Sequence, residues 1–158
     1  RLAYNQGVNR SDDLKYFSFE ADLTRYFELF RKRVLVARVR FNRVTHDEAE
    51  VSIPFYLRSA LGGEEALRGY RTQRFVDNDY LVASIEYRYP IWLKLDGFIF
   101  HEQGRVSNSM VDDFGLSGFK HSTGMGIRAW GKDGELGRVL FAVSEEGVRF
   151  YVHMGADW

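Results

Sequence analysis

The sequence predicts an all-β protein, an antiparallel meander that forms part of a transmembrane β-barrel and carries one long structured loop. Three observations lead there. Apolar and polar residues alternate with period two through most of the chain, as in strands with one apolar face. Aromatic residues make up 16%, with 13 Phe and 9 Tyr against two Pro, a composition suited to pleated surfaces. Turns between the alternating stretches are short at one end of the sheet and long at the other, the pattern of outer-membrane barrels whose short turns face the periplasm.

In chain order, residues 1 to 14 read as the tail of a preceding strand and a turn-forming cluster through Gly7, Asn9, Ser11, Asp12 and Asp13. From Tyr16, Phe17, Phe19, Ala21 and Leu23 point one way, and Ser18, Glu20, Asp22 and Thr24 the other. After the basic turn Phe30-Arg31-Lys32-Arg33, Leu35, Ala37, Val39 and Phe41 oppose Val36, Arg38, Arg40 and Asn42, so acids on one strand face bases on its partner. Residues 43 to 80 form the long loop. Within it, Leu61 to Arg74 has two glycines, a helix-compatible run and a further glycine behind an arginine, a poor strand and an ordered loop too long to be idle.

Past the loop, Leu81, Ala83, Ile85 and Tyr87 alternate with Val82, Ser84, Glu86 and Arg88, and Pro90 is expected to end that strand. A strand over 95 to 103, a polar loop over 105 to 120, and a hairpin turning at Lys132-Asp133-Gly134 follow. In it, Thr123, Met125, Ile127 and Ala129 oppose Gly124, Gly126 and Arg128. The strand from Glu135 to Val143 meets the turn 144 to 147. The last strand alternates Val148, Phe150, Val152 and Met154 with Arg149, Tyr151, His153 and Gly155 and runs to Trp158. The count is seven strands, an odd number and too few to close a barrel.

Composition bounds the function. The 158 residues suffice for one domain, and a start at Arg1 without Met suggests a fragment or processed product. Lys plus Arg and Asp plus Glu both total 22, so no general basic field exists to attract nucleic acid or anionic membrane. The absence of cysteine excludes disulfides, thiolate metal sites and a Cys nucleophile. No apolar run is long enough for a membrane-spanning helix, but β-strands cross with roughly 10 alternating residues, which suits a mean hydropathy of -0.34.

No catalytic constellation stands out. His46, His101, His121 and His153 lack metal-ligand spacing, no Gly-x-Ser-x-Gly elbow occurs, and Gly124-x-Gly126 lacks a phosphate-loop Lys-Ser/Thr. Asp77-Asn78-Asp79 reads as a turn rather than a calcium loop. The expectation is a non-enzymatic protein without cofactor or metal. Alternation alone fits a soluble sandwich as well as a membrane barrel, and the turn asymmetry favours the barrel. A lipocalin-like barrel enclosing a small apolar ligand is the alternative. It would place Phe17, Phe19, Leu35 and Phe41 in a packed interior, where the membrane reading places them on lipid.

Taken in order, Pro54-Phe55, Leu61-Gly62-Gly63, Leu67-Arg68-Gly69-Tyr70, Glu86-Tyr87-Arg88-Tyr89-Pro90, Phe100 to Gly104, Gly124-Met125-Gly126-Ile127-Arg128 and a terminal aromatic form a specific set. From about Tyr16 to Trp158 the chain resembles the C-terminal half of the bacterial surface-antigen family, which includes BamA-like and TamA-like insertases and the two-partner secretion transporters. The resemblance implies about seven strands of a sixteen-stranded barrel, with the loop over 43 to 80 folded into the lumen and residues 1 to 158 forming the C-terminal portion of the barrel domain. It implies a loop tip of Arg68, Gly69 and Tyr70, with Gly62 and Gly63 freeing the backbone, and lumenal partners Glu86 and Glu102. The second acid commonly stands in Phe-x-Asp-x-Gly, so Glu102 keeps the charge and adds a methylene. Facing agrees, because Glu86 shares its strand face with Ser84 and Arg88.

By resemblance the protein would insert or translocate polypeptides at the bacterial outer membrane, through a lateral seam where first and last strands pair poorly. Its partners would be outer-membrane lipid, unfolded client polypeptides, and the missing barrel strands, from an N-terminal portion or another copy of the chain. Phe150, Val152, Met154 and Trp158 match a C-terminal targeting strand, and Trp158 also suits an interfacial anchor.

Overall fold

The computed structural model describes residues 2–8, 15–46, 58–109, 117–132 and 134–155. Among the described residues ten strands follow one another: β1 (Leu2–Val8), β2 (Lys15–Leu29), β3 (Arg33–His46), β4 (Ser59–Leu61), β5 (Phe75–Asp77), β6 (Asp79–Trp92), β7 (Leu95–Ser107), β8 (Lys120–Trp130), β9 (Glu135–Ser144) and β10 (Gly147–Met154). Eight form one sheet in the order β1-β2-β3-β6-β7-β8-β9-β10, while β4 and β5 pair separately inside the long loop. Among the described residues the pairings are antiparallel, and the sheet is a meander with that loop between β3 and β6. The sheet is open, with β1 at one edge and β10 at the other.

Three sequence expectations need correction. The N-terminal tail is a full pairing partner, registered from Leu2↔Ala21 to Val8↔Lys15, so the sheet has eight strands rather than seven. The long loop is shorter than 43 to 80, because β3 continues to His46 and β6 begins at Asp79. Pro90 does not end its strand. β6 runs on to Trp92 and absorbs the missing N–H at a register shift between Pro90 and Trp92, where the ladder is already interrupted.

The two faces differ as the alternation predicts. Phe19, Leu23, Val39, Ile85, Ile99, Met125, Phe141, Phe150 and Met154 are exposed on one face. The other carries Arg40, Glu86, Glu102, Ser122 and Arg128, all buried beneath the folded-back loop. Cross-strand register aligns these sets, with Tyr87↔Ile99, Ile99↔Met125, Met125↔Phe141 and Phe141↔Phe150 forming one outward row. Phe17 and Phe19 lie on the outward face, against the lipocalin-like alternative, which needs them inside.

Two buried clusters lie on the loop side. Leu61, Ala66, Leu67 and Tyr70 of the loop pack on Tyr80 and Val82 of β6, with Phe75 and Val106 at the margin. On the wall, Phe98, Phe100, Leu140 and Ala142 pack together with Tyr151 beside them. The Gly124-x-Gly126 motif belongs to this second cluster. A Cβ at Gly124 would sit 2.5 Å from Phe100 Cζ, and one at Gly126 equally close to Phe98 Cζ, so the glycines make room for two rings.

The rims also differ. Short turns at 30–32 and 93–94 lie on one, where β8 also ends at Trp130 and β9 begins at Glu135, and the other holds the short turn at 145–146 together with the ends of β3 and β7 that lead into the longer connections. In the first short turn, Arg31 and Lys32 both adopt φ of 58°, a left-handed conformation that disfavours side chains bearing a Cβ by about 1–2 kcal/mol each.

Candidate functional site at the loop tip

The loop reaches the wall through successive tight turns. Gly62 and Gly63 take φ of 116° and 108°, conformations that other residues rarely adopt. Ala66 N–H donates to Gly63 O, Tyr70 N–H to Leu67 O and Arg74 N–H to Arg71 O, while Gln73 N–H closes the base onto Gly62 O. The helix-compatible run around Glu64 is therefore turned rather than helical. Leu67, fully buried with φ of 55°, redirects the chain and aims Arg68 at the sheet.

Arg68 meets both acids that the sequence singled out. Its backbone N–H donates to Glu102 Oε2 at 2.8 Å and its Nε to Glu102 Oε1 at 2.9 Å, while Nη1 donates to Glu86 Oε2 at 3.2 Å. The guanidinium carbon stands 3.5 Å from the centroid of the Phe100 ring. The side chains of Arg68, Glu86 and Glu102 are only 11%, 11% and 3% exposed, so charge-assisted bonds and a cation–π contact operate here largely away from water.

Gly69 is held from both sides. Its N–H donates to Ser122 Oγ at 2.7 Å, and Ser144 Oγ donates to its carbonyl at 2.8 Å. A Cβ there would lie 2.7 Å from Ser144 Cβ, so this close approach requires glycine. Tyr70 is buried edge-on to Phe75, with ring centroids 5.0 Å apart. From β10, Tyr151 Oη donates to Arg68 O at 2.9 Å and approaches Tyr70 O at 3.4 Å. The tip thus touches five consecutive strands, through Glu86, Glu102, Ser122, Ser144 and Tyr151.

An ionic network extends from this contact. Glu86 also accepts from Arg88 Nε at 2.7 Å and has Arg128 Nη2 at 3.5 Å. Arg128 Nε lies 2.8 Å from Glu135, and Arg138 bridges Glu135 to Glu64 of the loop. Arg40 donates to the carbonyl of Glu65, and Asp22 takes a two-pronged bond from Arg38. These groups border a cavity of about 380 Å³ lined by six arginines and four glutamates. Such a wall is polar and orders charged neighbours.

The remaining expected residues lie apart. Phe150, Val152 and Met154 are exposed on the outward face of β10, and Trp158 and Pro54-Phe55 fall outside the described residues. Asp77-Asn78-Asp79 is the link between β5 and β6, where Asp77 accepts from Asn78 N–H. His101 stacks on His121 and bonds Thr123 on the outward side of β7 and β8. Sequence reasoning missed Ser122, Ser144 and Tyr151 as anchors. The available signal was a tyrosine on the polar side of an otherwise alternating last strand.

A loop folded back onto the polar face of a meander sheet, pinned by an arginine to two wall glutamates, frames the comparison with known proteins. The family model for the Omp85 superfamily domain matches residues 1–143. The chain belongs to the Omp85 superfamily. Its all-β meander is the corresponding part of an outer-membrane barrel, and Omp85 proteins in general insert or translocate other proteins at the outer membrane. Within this Omp85 domain, the match spans both the Arg68 tip and the strands carrying Glu86, Glu102 and Ser122.

Proposed function

We propose that this domain is the C-terminal part of a BamA-like or TamA-like outer-membrane barrel that inserts or translocates client polypeptides without covalent chemistry, its loop locked in the lumen by Arg68. The reading is carried by one observation: Arg68 spends a guanidinium and a backbone N–H on two acids of adjacent strands. Unpaired strand edges are prohibitively unfavourable in lipid. The edges at β1 and β10 therefore require further strands, from an N-terminal portion or another copy of the chain. The seam beside β10 would admit a client strand by β-augmentation. Tyr151 ties β10 to the tip, so plug position and seam strand are mechanically linked.

The test is charge exchange in the natural full-length protein. Arg68→Glu should abolish client assembly and lower the heat-modifiable folded fraction, and adding Glu102→Arg should restore part of both. Glu102 is the better site for exchange, because Glu86 already serves Arg88 and Arg128 and an arginine there would face two others. No recovery in the double variant would sink the lock.

A further inference from the structure

The zero net charge of the chain conceals a difference between its two rims. On the long-loop rim, two cations are paired with acids: Lys120 bonds Glu145 at 2.9 Å and Arg74 bonds Glu146 at 2.6 Å. On the short-turn rim, Arg31, Lys32, Lys94 and Lys132 have no ion-pair partner among the described residues. Acids near them are few. Asp96 accepts from Trp130 Nε1, Glu135 belongs to the lumenal network, Glu28 is exposed, and Asp133 lies outside the described residues.

Each of these cations stands beside exposed apolar surface. Phe30 is 69% exposed, Trp92 78% and Leu93 94%, and Leu136 flanks the third turn. Arg31 and Lys32 add a stronger hint. A turn needing two left-handed residues is best served by Asn-Gly, and two long cations gain nothing there from the backbone and have no ion-pair partner among the described residues.

We propose that the short-turn rim docks on anionic phospholipid headgroups, with Arg31 and Lys32 as its principal contacts. Apolar side chains beside cations match the boundary where acyl chains meet phosphates, and each cation near such a surface favours binding by roughly fivefold. The proposal rests on the outer-membrane reading above and adds a lipid preference to it.

The natural full-length protein, folded into phosphatidylcholine vesicles with and without phosphatidylglycerol, provides the test. The melting temperature of the heat-modifiable form should rise with phosphatidylglycerol, and the rise should shrink with added salt. The double variant Arg31→Asn/Lys32→Gly should lose roughly half of that rise or more, yet melt no lower than wild type in phosphatidylcholine, because its turn is relaxed. Arg31→Gln/Lys32→Gln removes the charges without relieving the turn and should lose the rise equally. A full rise in both variants overturns the proposal. So does a wild type that folds in phosphatidylcholine and gains nothing, which would leave an acidic protein partner for the rim and the outer-membrane reading intact. Failure to enter either vesicle would remove both readings.

Discussion

Glu102 accepts the backbone N–H of Arg68 on one carboxylate oxygen and Arg68 Nε on the other, so one side chain fixes both the direction of the loop backbone and its guanidinium. Glu102→Gln should therefore be costly despite near-identical shape. An amide offers one acceptor and turns its NH₂ toward a donor, losing a charge-assisted bond worth about 1.5–3 kcal/mol. The loss should appear as a lower melting temperature of the heat-modifiable form and faster protease cleavage within the loop. Unchanged values would mean that the carboxylate charge is not holding the tip.

Gly69 is confined by Ser144 and Ser122, which gives a steric prediction with its own rescue. Gly69→Ala should destabilise the docked loop by about 1–3 kcal/mol through overpacking. Ser144→Gly removes the Cβ it strikes and should recover part of the loss, although the bond from Ser144 Oγ to Gly69 O goes with it. Additive damage in the double variant would place the strain elsewhere.

Two tyrosines near the tip allow the same chemical change to be compared. Tyr151→Phe deletes a hydroxyl that donates to Arg68 O, and should destabilise the domain by about 1 kcal/mol and loosen β10 in hydrogen exchange. Tyr70 Oη is buried without a hydrogen-bond partner among the described residues, so Tyr70→Phe should be neutral or stabilising. Equal effects would show that the Tyr151 bond does not couple the last strand to the loop tip.

What the sequence made legible follows from what each feature needs. Strands β2, β3 and β6 through β10 were readable because period-two alternation directly records which face is apolar. β1 was seen only as a tail, since Leu2 to Val8 has no charged face to mark its register. β4 and β5, three residues each, are too short to carry a period. Arg68, Glu86 and Glu102 were nameable from family resemblance, with strand facing in addition for Glu86. Ser122, Ser144 and Tyr151 come together only after three strands are placed in register and the loop is folded onto them, which no local pattern encodes.

Met125 offers a decision about solvent that the loop-contact variants cannot give. It lies midway along β8, is 61% exposed, and has Ile99 and Phe141 as outward cross-strand neighbours. On a water-facing surface, Met125→Arg should change stability by no more than about 0.5 kcal/mol. At the midplane of a bilayer the same arginine should destabilise the barrel by about 2–4 kcal/mol, and a substitution near the interface should be much milder. Unfolding of the full-length protein in vesicles should thus show a large loss for Met125→Arg and a small one for Val148→Arg, which sits close to the rim. Equal, small losses at both positions would show that the outward apolar face does not meet lipid.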